Sequence, residues 1–205
     1  MSARDALLVV DLQHDFLPGG ALGVTGGDEI LVPIANLVAG RRFPVMIATQ
    51  DWHPPGHASF ASSHPGRAPF DEVQLHGHPQ TLWPDHCVQE SSGAELHPIL
   101  PQGPLTAILR KGADPAVDSY SAFRHNWDAT GTRPATGLAG LLRELGVEAV
   151  SLAGLARDYC VLWSAEDAAD AGFEVHVLWR LTRAVDPGSD AEVRRSLSER
   201  GVFID

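Results

Sequence analysis

The chain has 205 residues, 44% of them apolar, with 15 Lys+Arg against 26 Asp+Glu for a net charge of -11 and a pI near 5.2. That length and apolar content suit one domain over residues 1–205 with a sizeable core. The acidic balance excludes nucleic acid and an anionic membrane surface as partners, because both demand clustered Lys and Arg. Two cysteines, Cys87 and Cys160, are too few for a disulfide scaffold, so either is a candidate reactive or metal-binding thiol. No apolar run approaches the roughly 18–20 residues of a membrane span. Met1–Asp5 enters an apolar run with no basic leader or cleavage site. The expectation is a soluble cytoplasmic enzyme or small-molecule binder, with a homo-oligomer left open.

In chain order, residues 6–11 (ALLVVD) read as a buried strand. A helix follows over 28–39, although Pro33 sits late for a first turn, so the helix either starts later or bends. Residues 44–50 give a second strand and 105–110 a third. Leu138, Leu141, Leu142 and Leu145 mark a helical face that Gly146 can end. Residues 148–155 form a fourth strand. Asp158 can cap a helix reaching Gly172, with Val161, Ala165 and Ala168 inward. Residues 174–178 are a fifth strand. Ser189 and Glu192 have capping-box spacing for a helix closed by Gly201, and 202–204 is a weak last strand. Near-continuous apolar strands alternating with helices predict a doubly wound α/β fold. Its sheet is mainly parallel, with five to six strands and helices on both faces. One region breaks the rhythm. Residues 54–104 hold nine of the fifteen prolines and six of the ten histidines, which predicts a long functional loop over about 52–104.

In open parallel sheets, ligands bind outside the carboxyl ends of the strands. Four strands deliver a reactive residue there: Asp11, Asp51, Lys111, and Cys160 in Gly154-Leu-Ala-Arg-Asp-Tyr-Cys160. A thiol at a helix N-terminus, an ammonium and a carboxylate make a nucleophile, a stabiliser and a base. Lys111 and the helix terminus are expected to hold the Cys160 thiol below the ordinary value of about 8.5. Asp51-Trp52-His53 points two ligating side chains the same way in an extended segment, and His86 lies further on. One carboxylate and two imidazoles suit Zn²⁺, Fe²⁺ or Mn²⁺. His57 either joins them or orients one of them. His64, His76, His78 and His97 read as solvated loop residues. Phosphate-binding glycine turns and G-x-S-x-G, H-E-x-x-H and C-x-x-C patterns are absent, which disfavours a nucleotide-binding enzyme.

These residues sit in a recognisable order. Asp11-Leu-Gln-His-Asp-Phe16 with Pro18-Gly-Gly20, Thr49-Gln-Asp-Trp-His53, and Trp83-Pro-Asp-His-Cys87 resemble the nicotinamidase/pyrazinamidase group of isochorismatase-like cysteine hydrolases. Lys111-Gly112 with Asp118-Ser-Tyr-Ser-Ala-Phe123, and Gly154 to Val161, extend the resemblance. It implies the isochorismatase-like hydrolase fold and hydrolysis of nicotinamide, and of pyrazinamide, to the acid and ammonia. Cys160 would be the nucleophile forming a thioester, Asp11 the base and then the acid, and Lys111 the electrostatic partner. The N–H groups of Ala156 and Cys160 would form an oxyanion hole, with a cis peptide between Ala156 and Arg157. One divalent metal per chain, zinc first with iron or manganese as alternatives, would be held by Asp51, His53 and His86 and would bind the ring nitrogen. Phe16, Trp83, Tyr120 and Tyr159 would contact the substrate. Arg157 departs from the group's usual smaller residue and either points outward or narrows the entrance. The role implied is pyridine nucleotide salvage.

Four other readings remain at this point, one of them an isochorismatase cleaving a vinyl ether, which would make Cys160 superfluous. A sister amidohydrolase would act on ureido or carbamoyl substrates without metal. A metal-dependent hydrolase would treat both cysteines as incidental. A non-catalytic binder would leave the Asp11/Lys111/Cys160 set without a purpose.

Overall fold

The computed structural model describes residues 4–205; Met1–Ala3, the start of the stretch read above as lacking a leader, lie outside the described residues. Six strands form one parallel sheet: β1 (Asp5–Val10), β2 (Val45–Asp51), β5 (Ala107–Lys111), β6 (Ala149–Leu155), β7 (Glu174–Arg183) and β8 (Phe203–Ile204). Their order is β5-β2-β1-β6-β7-β8. The chain therefore winds outward from β1 in one direction and from β6 in the other. Right-handed crossovers then put α1 (Leu31–Ala39) on one face and α2 (Leu138–Glu144), α3 (Leu162–Asp170) and α4 (Asp190–Glu199) on the opposite face. Covering from both sides explains why all seven residues of β2 and the last five of β1 are buried. Among the described residues no helix is long and apolar enough to cross a membrane.

Several local expectations shift for physical reasons. A 3-10 turn, Gly27–Ile30, precedes α1, so the helix starts at Leu31 and Pro33 falls in its first turn, where a missing N–H costs nothing. Ser189 does not cap α4. The chain is already helical there, and its Oγ donates to the Asp186 carbonyl at 2.7 Å. Asp186 instead caps the preceding turn, accepting from the Gly188 N–H. Asp158 likewise caps no helix. The segment Arg157–Val161 is a wide π turn ahead of α3, and the Asp158 carboxylate accepts from the N–H groups of Val185 and Asp186 at 2.9 and 2.8 Å. Strand β7 runs five residues past its expected end at 178 and bulges. Leu152 pairs with Val177, but Gly154 pairs with Thr182.

The long loop contains a hairpin that the sequence reading missed, β3 (Glu72–Leu75) against β4 (His78–Thr81). Its two-residue connection, His76-Gly77, has positive φ at both positions (52° and 80°), as a type I′ turn demands. The hairpin is polar and half-solvated, so the apolar alternation that marks a core strand is weak. Gly154 matters more to the site. Its φ is +126°, and a Cβ there would collide with the carbonyl of Val10 on β1. Only glycine lets β1 and β6 close just before each reaches its functional residue. Gly154→Ala should therefore destabilise the protein by more than about 4 kcal/mol. A urea midpoint equal to the parent's would refute this close approach.

Candidate active site

The strand ends bring the four reactive residues together. Asp51 closes β2 and pairs in register with Lys111, which closes β5. Asp11 follows β1 in a left-handed conformation (φ 49°), and Cys160 lies in the turn after β6. Lys111 is fully buried. Its ammonium sits 2.9 Å from Asp11 Oδ2, 3.0 Å from Asp51 Oδ1, 2.9 Å from the Ser119 carbonyl and 3.4 Å from Cys160 Sγ. The other Asp11 oxygen accepts from Thr49 Oγ1 at 2.5 Å, a partner the sequence reading did not name.

Burial works against the Lys111 charge, but Asp11 and Asp51 outweigh it and hold its pKa well above the usual range. Burial likewise opposes the charge on Asp51, yet His53 and Lys111 keep that carboxyl well below the carboxylate norm. Asp11 goes the other way: burial raises it despite Lys111, with Asp51 adding to the rise. The low-pKa thiol expected for Cys160 is reversed. Burial pushes it well up, Lys111 pulls it down, and Asp11 and Asp51 push it up again. One ammonium shared between two buried carboxylates leaves little charge to favour a thiolate, so burial and the two carboxylates prevail over Lys111 at Cys160. Cys87 is also buried and pushed up, but its backbone N–H binds Asp15 Oδ2 and it does not line the cavity described below.

Next to this cluster, Asp51 Oδ2 lies 2.9 Å from His53 Nε2 and 3.4 Å from His86 Nε2. Each histidine turns Nδ1 to a backbone carbonyl, His53 to Gly112 at 2.9 Å and His86 to Pro84 at 2.8 Å. The Nδ1 atoms must therefore carry the protons, leaving two Nε2 lone pairs facing a carboxylate. Three buried electron-pair donors converging in this way need a positive charge between them, and the set fits a divalent transition metal. Without an ion the charge is a proton: burial disfavours it on His53, but Asp51 raises the imidazole's pKa overall. His57 is not drawn into this group. Its ligand atom clusters with His53 and Asp118 instead. Its Nδ1 faces Ser59, and its buried Nε2 has no partner among the described residues.

Three supporting residues escaped the sequence reading. Phe60, fully buried, presents its ring edge-on to His53, His57 and His86 at 5.4–5.6 Å between centroids. Gln13 mimics a backbone strand, accepting from the Asp51 N–H at 2.7 Å and donating to the Asp51 carbonyl at 2.7 Å. Gly112, with φ +69°, leaves room for the histidine: a Cβ there would lie 2.5 Å from His53 Cε1. Gln13 and Gly112 stand within motifs already singled out, and Phe60 closes the run after His57. Packing against the ligands, however, is written in no spacing rule.

Phe16, Trp83, Tyr120 and Tyr159 all line one narrow cavity, together with Cys160, Ala156, Asp51, His86 and Asp118. Trp83 stands edge-on to Tyr159 at 4.7 Å and donates from its indole N–H to Tyr120 Oη at 3.1 Å. Gln80 of the hairpin donates to the same hydroxyl and to Asp118, tying β4 to the wall. Two larger depressions, one around Glu174 and His176 and one around His14 and Gly19, contain none of the reactive residues.

The cis peptide bond lies between Leu155 and Ala156, one position before the expected one. That is the peptide that carries the Ala156 N–H. Arg157 points away from the cavity, onto Thr182, Asp190 and Trp179. The four histidines expected to be solvated are half-buried. His64 and His76 bond backbone carbonyls, His78 stacks on Trp127, and His97 leans on His14.

Residues 5–203 match the family model described as the isochorismatase domain. The chain is 46% identical over 204 residues to a nicotinamidase of Escherichia coli, covering 97% of this chain and 93% of that one. A solved nicotinamidase–pyrazinamidase of Acinetobacter baumanii superposes with a TM-score of 0.93 at 40% identity, covering 100% of this chain and 96% of that chain. A solved pyrazinamidase of Pyrococcus horikoshii in complex with zinc gives a TM-score of 0.78 at 33% identity, covering 98% of both.

The charge balance around Cys160 is open to direct measurement. Metal-free protein should alkylate with iodoacetamide along a profile whose midpoint lies above the ordinary thiol value of about 8.5. Lys111→Met should move that midpoint higher still and cost about 3–5 kcal/mol of stability, because it strands two buried carboxylates. A parent midpoint below 8.5 would show that the ammonium outweighs the carboxylates after all.

Proposed function

We propose that this chain, which belongs to the isochorismatase domain family, hydrolyses nicotinamide to nicotinate and ammonia through a thioester on Cys160. The observation that carries the reading is a single aromatic-walled cavity lined by Cys160, which contacts Lys111 and through it Asp11, and by Asp51 and His86 of the donor set that His53 completes. The near full-length likeness to proteins named nicotinamidase supports the choice of amide.

The charge assignments fit this chemistry. A neutral thiol beside a carboxylate lets Asp11 take the Cys160 proton as the sulfur attacks the amide carbonyl, so no free thiolate has to be buried. The developing oxyanion would be met by the Ala156 and Cys160 N–H groups. Asp11, now protonated, gives its proton to the departing nitrogen as the C–N bond breaks, and ammonia leaves. Its raised pKa suits a group that must both hold and release that proton. Water then attacks the thioester with Asp11 again as base, which frees nicotinate and returns the proton to sulfur. Lys111 keeps the pair of aspartates compensated throughout.

Asp51, His53 and His86 would hold one divalent ion, which we take to be zinc with iron or manganese as the alternatives. Such an ion would supply a Lewis acid for the ring nitrogen. Phe16, Trp83 and the two tyrosines would enclose the ring. This chemistry serves pyridine nucleotide salvage in the cytoplasm, and pyrazinamide, which keeps a nitrogen meta to its carboxamide, should also be turned over.

An ammonia-release assay on nicotinamide tests the reading. Cys160→Ala should fall to background while Cys87→Ala stays within about twofold of the parent; the reverse pattern would overturn the assignment of the nucleophile. His86→Ala should lose metal by elemental analysis and raise KM by about 10–100-fold, with benzamide, which lacks the ring nitrogen, a very poor substrate throughout. The acid limb of kcat/KM should lie above about pH 4, because Asp11 must be ionised to accept the thiol proton and its pKa is raised. An acid limb below that value would exclude Asp11 as the base.

A further inference from the structure

Arg157 is the first residue of the turn that ends at Cys160 and Val161, and it follows Ala156 directly. Its side chain is only 9% exposed and faces away from the cavity. Nε donates to Thr182 Oγ1 at 2.9 Å, one terminal nitrogen binds both Asp190 oxygens at 2.6 and 2.7 Å, and the other donates to the Thr182 carbonyl at 2.7 Å. The guanidinium lies 4.0 Å over the Trp179 ring, which also carries Arg194 at 3.8 Å. Thr182 is where β7 regains its pairing with β6 after the bulge. The next side chain, Asp158, ties the same turn to the N–H groups of Val185 and Asp186. A π turn replaces the tighter α-helical bonds with longer ones, so its shape depends on outside contacts. Here those contacts are Arg157 and Asp158.

We infer that Arg157 is a positioning residue for the reaction proposed above: its planar fork, anchored to β7 and α4, sets where the Ala156 and Cys160 N–H groups and the Cys160 thiol stand. The inference rests on that reading for the reaction but on this chain's own contacts for the role. An oxyanion donor out of place costs catalysis about 10²–10³-fold, and a misplacement near 1 Å about 10²-fold. Substrate affinity, supplied at the opposite end of the cavity, should be spared. A lysine can keep one contact to Asp190 but not the fork to Thr182 or the full stacked face.

The test compares parent, Arg157→Ala and Arg157→Lys in three readouts on metal-loaded enzyme. For nicotinamide, Arg157→Ala should lower kcat at least about tenfold with KM within about twofold, and Arg157→Lys should fall between. Pyridine-3-carbaldehyde is the second probe. The thiol adds across its C=O, forming a C–S bond while the thiol proton passes to the former carbonyl oxygen, so its affinity reads the alignment of sulfur and N–H donors. Its inhibition constant should rise at least about tenfold in Arg157→Ala. Nicotinate, which forms no bond to sulfur, should keep its Kd within about twofold. An unchanged kcat, or an equal loss of aldehyde and nicotinate affinity, would overturn the inference. Should Arg157→Ala not fold, Asp190→Asn removes the ion pair at a side chain that is 38% exposed. It should show the same split in smaller degree, and its absence would be equally fatal. A parent that releases no ammonia from nicotinamide would instead sink the proposed reaction.

Discussion

Placing an ammonium where water cannot reach it costs several kcal/mol unless opposite charge stands beside it, and Lys111 is in that position. The charge that answers it comes from two other strands, Asp11 beyond β1 and Asp51 at the end of β2. The strand order β5-β2-β1-β6 makes this arrangement available. Four neighbouring parallel strands all end at one edge, and the register that pairs Asp51 with Lys111 brings their side chains level. Gln13 and Thr49 then hold the two carboxylates by hydrogen bonds, one to the Asp51 backbone and one to the Asp11 side chain. The site is thus a property of sheet pairing before it is a property of any loop.

Asp51 joins what could otherwise be two independent centres. One oxygen belongs to Lys111 and, through it, to the sulfur; the other faces the two imidazoles. A positive charge held by the histidines weakens the push that Asp51 exerts on the Cys160 thiol. The state of the donor set and the ionisation of the Cys160 thiol are therefore electrostatically linked across a single carboxylate. The hydrophobic edges of Phe60 and Trp83 keep the local dielectric low and make that link stronger than it would be in water.

Much of this was legible in the sequence because strand ends are legible. Apolar runs locate the carboxyl edge, and the polar residue that closes each run is automatically a candidate. Asp11, Asp51, Lys111 and Cys160 all emerged in that way. The aromatic residues of the cavity were named from the family resemblance. What stayed hidden depends on packing between segments distant in the chain. The hairpin over residues 72–81 alternates only in Glu72-Val73-Gln74-Leu75, and its return strand is held by polar contacts such as Gln80 with Tyr120 and Asp118. Asp158 and Ser189 looked like helix caps because the residue types were right, but a π turn moved the start of α3 to Leu162, and a 3-10 turn made the backbone at Ser189 helical before α4 began. The sequence expectation for Cys160 weighed Lys111 and the helix terminus, whereas burial first and then Asp11 and Asp51 push the thiol up, and neither depth nor the sharing of one cation can be read from a sequence. Arg157 could have faced either way, and only the bulge in β7 supplies the carbonyl and hydroxyl that hold it outward.

Strand β5 carries Lys111 yet lies at the edge of the sheet, paired only with β2, and Ile108 in its middle is 42% exposed. Edge strands of this kind separate from a sheet at a lower free energy than the strands inside it. When β5 lets go, the ammonium leaves and two carboxylates lose their counter-charge together, while β1, β2, β6 and β7 can remain paired. Lys111 is thus the anchor of the edge strand as well as a member of the site: its ion pairs with Asp11 and Asp51 must break before β5 can leave the sheet.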